Sequence, residues 1–218
     1  NSVAVLSQGA VVFRQEKTLL PTYDVFDESR YFEPAPERRV FEFGGRRIGI
    51  AICEDIWWEA PPVPGLHYPV DPVRELLDLG ADLIVVPSAS PFQSGKLGTR
   101  LALAADLARE GGVPVLYCNM CGADDSLVFD GRSFAVGADG RPFALAGWGE
   151  ETLFVDLDAP VRPISIAVDR YEELELALVE GIRGYMRRCG FTSAHLGVSG
   201  GIDSALVAYL AVKAIGSE

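Results

Sequence analysis

Two stretches of this chain carry the same order of signals: a helix, a glycine stop and an apolar strand. Over residues 71–79, Val73, Leu76, Leu77 and Leu79 fall at helical spacing, Gly80 ends the run and "DLIVVPS" follows. An alanine-rich helix over 98–110 is stopped by Gly111-Gly112 and leads into "VPVLYCN". A sheet covered by helices is the natural packing for such units, so the chain is committed to an α/β architecture.

The rest of the text fits around that sheet. Strands over 2–6 and 10–13 flank a Gln8-Gly9 turn, and a second hairpin over 40–52 turns at Gly44-Gly45 into the β-branched, buried run "RIGIAIC". Residues 126–156, with "FDGRSFAVGADGRPFALAG" and "ETLFVDLD", read as strands that complete the same sheet system. With 218 residues and 49% hydrophobic content, the chain can bury one sizeable core and begin a second. A net charge of -12 without a Lys/Arg cluster argues against nucleic-acid or anionic-membrane binding and favours small-molecule chemistry. No apolar run approaches the ~18 residues of a membrane span, and four cysteines make no disulfide scaffold, so a cytoplasmic protein is expected.

Between residues 158 and 170 two prolines and the loss of helical period mark a linker, dividing a first domain (1–157) from a second unit (171–218). That unit reads as a helix over 171–188 with Leu174, Leu178, Ile182 and Tyr185 in register, a strand "SAHLGV", a turn "SGGIDS" and a helix over 205–215. Ser199, Gly200 and Gly201 permit close backbone approach, and a following helix offers unpaired N–H groups to an anion. The loop is neither a Walker A nor a G-x-G-x-x-G motif, and the alternative is a turn that merely caps its helix. It resembles the S-G-G-x-D-S pyrophosphate loop of the ATP pyrophosphatase superfamily. The resemblance implies ATP with Mg, Ser199 and Ser204 on the phosphates, and Asp203 ordering the metal-bound phosphates.

In "IGIAICEDIWWE", Cys53 ends a buried strand and precedes a sharp Glu-Asp turn, which suits a nucleophile. A free thiol ionises near about 8.5, so attack at neutral pH needs a nearby cation or base, and Lys17 is the candidate cation. Taken singly, Cys53 reads better as a buried inert thiol and Lys17 as an exposed surface lysine, and only their surroundings turn the reading toward catalysis.

Together, "KTLLPTYDVFDESRYF", "AICEDIWW", "VPSASPF" and "VLYCNMCGADDSLVFDGRSF" resemble the glutaminase domain of the glutamine-dependent NAD+ synthetase family, a branch of the nitrilase superfamily. The segment from "YEELELALVEGIRGYMRRCG" through "SGGIDSALVAYLAVKAIG" resembles the start of that family's synthetase domain. The resemblance implies a nitrilase-like α-β-β-α sandwich, incomplete at its N-terminus, followed by the first βα unit of an open, Rossmann-like pyrophosphate-loop domain. It implies Cys53 as the nucleophile on the glutamine carboxamide, with Lys17 and the N–H of Glu54 at the oxyanion. Glu28 resembles an additional nitrilase glutamate, a salt bridge to Arg30 being the equal reading, and Tyr23, Phe26, Glu54 and Ser90 look like glutamine-pocket positions. The implied substrates are glutamine, ATP and nicotinic acid adenine dinucleotide, in a homo-oligomer. The family's general-base glutamate is expected N-terminal to Asn1, so the chain reads as an internal piece, inactive alone, of a longer enzyme.

Other signals read as structural. Cys118 and Cys121 lack a second metal-ligand pair, His67 and His195 are too few for a metal centre, and His195 is expected to be packed in its strand. Trp57 and Trp58 shape the pocket or cover the sheet, and Lys96 and Arg100 open a helix on what reads as a solvated face. The alternatives to a synthetase are a stand-alone nitrilase-like amidase with a nucleotide-sensing module, and a catalytically dead interaction module.

Overall fold

In the computed structural model, which describes residues 1–160 and 162–217, a six-stranded sheet organises the chain. Its order is β10 (Pro142–Leu145), β9 (Phe134–Val136), β6 (Val115–Asn119), β5 (Leu83–Ser88), β4 (Arg46–Ile50), β3 (Val40–Phe43). The two helix-then-strand units supply the parallel centre, β4 beside β5 beside β6, and hairpin-like neighbours pair antiparallel at both edges. Helix α1 (Pro72–Asp78) starts where the Asp71 carboxylate accepts the Arg74 N–H at 3.0 Å. Helix α2 (Lys96–Gly111) ends at Gly112, whose φ of 63° lies in the left-handed region. Val73 and Leu76 of α1 and Leu97, Ala104 and Ala108 of α2 bury against Ile84, Val86, Val115 and Val136 of the sheet. Gly49 lets α1 come close: a methyl there would stand 2.8 Å from Ile84 Cδ1 and 3.2 Å from Leu76 Cβ.

A separate hairpin, β1 (Ser2–Ser7) with β2 (Ala10–Glu16), turns at Gln8-Gly9 and hangs on the sheet edge through Gln15. That buried amide donates to Glu37 O at 3.0 Å and accepts from Arg39 N at 3.0 Å, while Phe13 packs on Phe41 at 5.2 Å.

Several expectations need correction. The strands of 126–156 do not all join one sheet: β7 (Cys121–Asp124) and β8 (Leu127–Asp130) form their own ladder, and only β9 and β10 extend the main sheet. "ETLFVDLD" alternates Leu153, Val155 and Leu157 inward but belongs to no ladder, so it is extended chain without a strand partner. "SAHLGV" is likewise no strand; residues 191–200 are exposed, His195 included, because no described strand lies beside them. A strand exists by pairing, and local apolar content cannot supply the pair.

Helix α3 (Arg170–Cys189) is capped by Asp169, which accepts from Tyr171 and Glu172 N–H. It sits on β7 and β8 through a face other than its apolar stripe. Glu173, Ala177 and Gly184 are buried, whereas Leu174, Leu178 and Tyr185 are exposed. Gly184 meets Ala123, and Arg188 donates to Ala123 O at 3.0 Å and pairs with Asp124 at 2.7 Å. Helix α4 (Ile202–Ile215) then packs Leu210 and Ala214 on Val179. Among the described residues, no helix is long and apolar enough to cross a membrane.

A methyl at Gly184 would stand 2.6 Å from Ala123 Cβ, an atom with no rotamer by which to retreat. Gly184→Ala is expected to destabilise the docked α3 by about 1–3 kcal/mol despite its better helix propensity, read as a lower urea midpoint.

Candidate functional site

The parallel strand β4 runs out through buried Ala51 and Ile52, and the chain then breaks into a single 3-10 turn, Cys53–Ile56. Cys53 takes φ 48°, a left-handed conformation unusual for a side chain with a Cβ. The turn faces a cleft of about 740 Å³ that includes Tyr23, Phe26, Cys53, Glu54, Trp57, Ser90 and Lys96 in its wall. Burial pushes the Cys53 thiol above its ordinary value. The Lys17 charge opposes that shift, Glu54 adds to it, and Lys96 and an Ala89 N–H hydrogen bond pull it back down.

Lys17 is 2% exposed, and both oxygens of Glu28 accept from its Nζ, at 2.7 and 2.9 Å. Glu28 therefore pairs with Lys17 and not with Arg30, which lies 3.6 Å from Asp27 on the surface. Glu54, 4% exposed, accepts from Tyr23 Oη at 2.8 and 2.9 Å and from Tyr68 Oη at 2.6 Å. Burial, reinforced by the adjoining carboxylate, raises both phenols above their usual range, which keeps them protonated as donors. Trp58 donates to Tyr68 O at 3.1 Å and so pins the loop that carries Tyr68. Trp57 is buried in the core and also walls the cleft.

The opposite wall is held from below. Ser90 N donates to Asn119 Oδ1 at 2.9 Å, and Asn119 Nδ2 donates to Asp130 Oδ1 at 3.1 Å. Asp130 is ion-paired to Arg100, which is 1% exposed and stands 5.8 Å over the Tyr117 ring. The solvated-face reading of Arg100 and Lys96 is thus corrected: Arg100 is a buried strut, and Lys96 walls the cleft. Burial lowers the Lys96 ammonium below the usual lysine value, while the Cys53 thiolate favours its charge.

Asp55 is the residue that reading the sequence passed over. Its buried carboxylate accepts from Thr18 N at 3.0 Å and Leu19 N at 2.7 Å on one oxygen, and from Ile52 N at 2.8 Å on the other. Burial pushes its carboxyl up to about 6, while those three N–H groups and Lys17 limit the rise. A raised carboxyl favours the fold in its protonated form. That contribution is full below the unfolded value of about 3.9 and is lost as pH rises through about 6. The signal available in the sequence was a pair of adjacent acids, Glu54 and Asp55, inside the otherwise apolar run "IAICEDIWW".

The S-G-G-x-D-S loop lies apart from the cleft residues in sequence and opens α4. Gly200 has φ 89° and nothing within 4 Å of the position a Cβ would take. Ser199 and Ser204 hydroxyls lie 3.2 Å apart, Ser204 donates to Gly201 O at 3.0 Å, and Asp203 sits in the helix's first turn. Among the described residues, no group of three or more His, Cys, Asp or Glu side chains is arranged to hold a metal ion. Cys118 is exposed and Cys121 half-buried, both unpaired.

Residues 1–164 match the carbon-nitrogen hydrolase family, and residues 175–218 match the NAD synthase family. A glutamine-dependent NAD(+) synthetase of Synechocystis sp. is 41% identical over the whole chain, which spans 40% of that protein's length. The structure of a glutamine-dependent NAD+ synthetase from Acinetobacter baumannii, in complex with ADP, superposes with a TM-score of 0.87. It is 36% identical, with 99% of this chain and 40% of that one covered. An amidase from Nesterenkonia sp. AN1, with an acetamide moiety added covalently at its active-site cysteine, gives a TM-score of 0.52 at 30% identity. That match covers 65% of this chain and 48% of the amidase. The neighbours share the nitrilase-like architecture of the first part of the chain.

Because Lys17 lowers the Cys53 thiol, its removal should raise that thiol further. Iodoacetamide alkylation mapped to Cys53 is expected to move to higher pH in Lys17→Met. A thiol that ionises one pH unit higher reacts about tenfold more slowly near neutral pH.

Proposed function

This chain belongs to the carbon-nitrogen hydrolase family, and on that premise we propose that its cleft is the glutaminase site of a glutamine-dependent NAD+ synthetase. The observation that carries the reading is Cys53 in a left-handed turn on a cleft walled by the tyrosine-bound Glu54, with the buried, Glu28-paired Lys17 near enough to oppose the rise of its thiol.

The chemistry follows from those groups. The Cys53 sulfur attacks the side-chain carboxamide of glutamine, and negative charge develops on the carbonyl oxygen. The Lys17 ammonium and the Glu54 N–H stabilise that oxyanion, while Glu28 prevents Lys17 from turning away. The C–N bond breaks, the thiol proton leaves with the nitrogen as ammonia, and water hydrolyses the thioester to glutamate. Glu54, fixed by Tyr23 and Tyr68, suits the ammonium of the amino acid, and Lys96 suits its carboxylate. Ser90 and Phe26 complete the wall.

The second unit, over 171–218 beyond the 158–170 linker, begins the synthetase. The open Gly200 cradle, the paired hydroxyls of Ser199 and Ser204, Gly201 and the unpaired first-turn N–H groups of α4 fit phosphate oxygens. Asp203 would provide one carboxylate for Mg, which neutralises phosphate charge when bound. In the complete protein, ATP adenylates the carboxylate of nicotinic acid adenine dinucleotide with release of pyrophosphate, and ammonia displaces AMP to give NAD+. A cytoplasmic homo-oligomer fits this role. The NAD synthase match over 175–218 favours it over a stand-alone amidase.

In the complete protein, Cys53→Ala should lower glutamine-dependent NAD+ formation by at least about 10³-fold while ammonia-dependent formation persists. A glutamine-analogue diazoketone should label Cys53 in the wild type alone. Equal loss with both nitrogen donors would refute the assignment.

A further inference from the structure

The nucleophile and its cation come from different parts of the chain, 36 residues apart by their numbers, Cys53 and Lys17. Nothing covalent sets their separation. Lys17 directly follows β2, Cys53 follows the short segment leaving β4, and these strands share no ladder. The Asp55 carboxylate bridges their backbones: it binds the N–H groups of Thr18 and Leu19 on one side and of Ile52 on the other.

We infer that Asp55 is a positioning residue that sets the Lys17 ammonium against the Cys53 sulfur by clamping both backbone segments on one carboxylate. Its geometry is suited to that and to little else. Its side chain is no part of the wall of the Cys53 cleft, and its two oxygens are used by backbone donors of the two segments. An ionised carboxylate in this setting is held at a cost to the fold, as its raised carboxyl value shows.

Asn in place of Asp keeps the shape but presents an NH2 group to one of the two segments, donor against donor. The clamp then opens on one side only. A misplacement of about 1 Å between reacting groups costs on the order of 10²-fold.

The inference rests on the glutaminase reading, and the test separates the two. In the complete protein, Asp55→Asn is expected to lower kcat for ammonia release from glutamine about 100-fold. KM should stay within about threefold, because the cleft wall of Tyr23, Glu54, Ser90 and Lys96 is unchanged. It should also move the Cys53 alkylation profile to higher pH, as Lys17→Met does. Placed on Lys17→Met, Asp55→Asn should add less than about threefold to either loss, because a residue acting through Lys17 has nothing left to act on. Asp55→Ser, which adds no volume, provides a second variant should the first not fold. Multiplying losses in the double variant would overturn the inference. So would a wild-type kcat per diazoketone-titrated site, which would mean that Asp55 only sustains folding. A wild type that releases no ammonia would sink the glutaminase reading alone, and the alkylation profiles would still decide the role of Asp55.

Discussion

A parallel strand delivers its last side chain to the edge of a sheet, but it cannot by itself aim that side chain sideways into a cleft. Here the aiming is done by one turn of backbone in which Cys53 occupies left-handed space. Such a conformation is disfavoured for any residue with a Cβ and persists only where its surroundings determine it. The determinants are local and specific: Ala51 and Ile52 are locked in the core, Trp57 N–H binds Glu54 O at 2.9 Å, and the Asp55 carboxylate draws Ile52 N–H inward. The cleft, its cation and its carboxylates are arranged around that turn.

The cleft walls differ in how they are built. On one side Glu54 is held in one orientation by two phenols whose own titration is pushed upward. On the other, a buried series from Ser90 through Asn119 and Asp130 to Arg100 supports the backbone of the wall. The Arg100–Asp130 pair is costly to desolvate, and Arg100 Nε and Nη1 find no protein acceptor. Its value is orientation: it fixes Asn119, which fixes the Ser90 backbone.

Much of the scaffold was legible because its signals are local. Helix stops at Gly80 and Gly112, the two hairpin turns and the β-branched runs each announce an element within a few residues. Pairing is not local, which is why "SAHLGV" and "ETLFVDLD" have strand composition without a strand neighbour. The α3 face was illegible for a related reason. Its apolar stripe obeys the helical period, yet the helix docks through Gly184, Ala177 and Glu173, because small residues let it approach Ala123 and the Arg132 side chain reaches Glu173 at 3.7 Å. For the site, Cys53 and Lys17 were found through a family resemblance. Asp55, Tyr68, Asn119 and Asp130 were missed because each acts across at least ten residues of chain, or through backbone groups that every residue possesses.

The chain carries twelve more negative than positive charges, a field that would ordinarily oppose forming a thiolate and whose strength would vary with dissolved salt. The Lys17–Glu28 pair lies beneath that surface, with side-chain exposures of 2% and 17%. Mobile ions gather around exposed charges within about 8 Å at physiological strength but do not enter packed protein. The cysteine's electrostatic partner is therefore shielded from the ionic composition of its surroundings. The outer charge can serve solubility while the inner pair keeps the same local field.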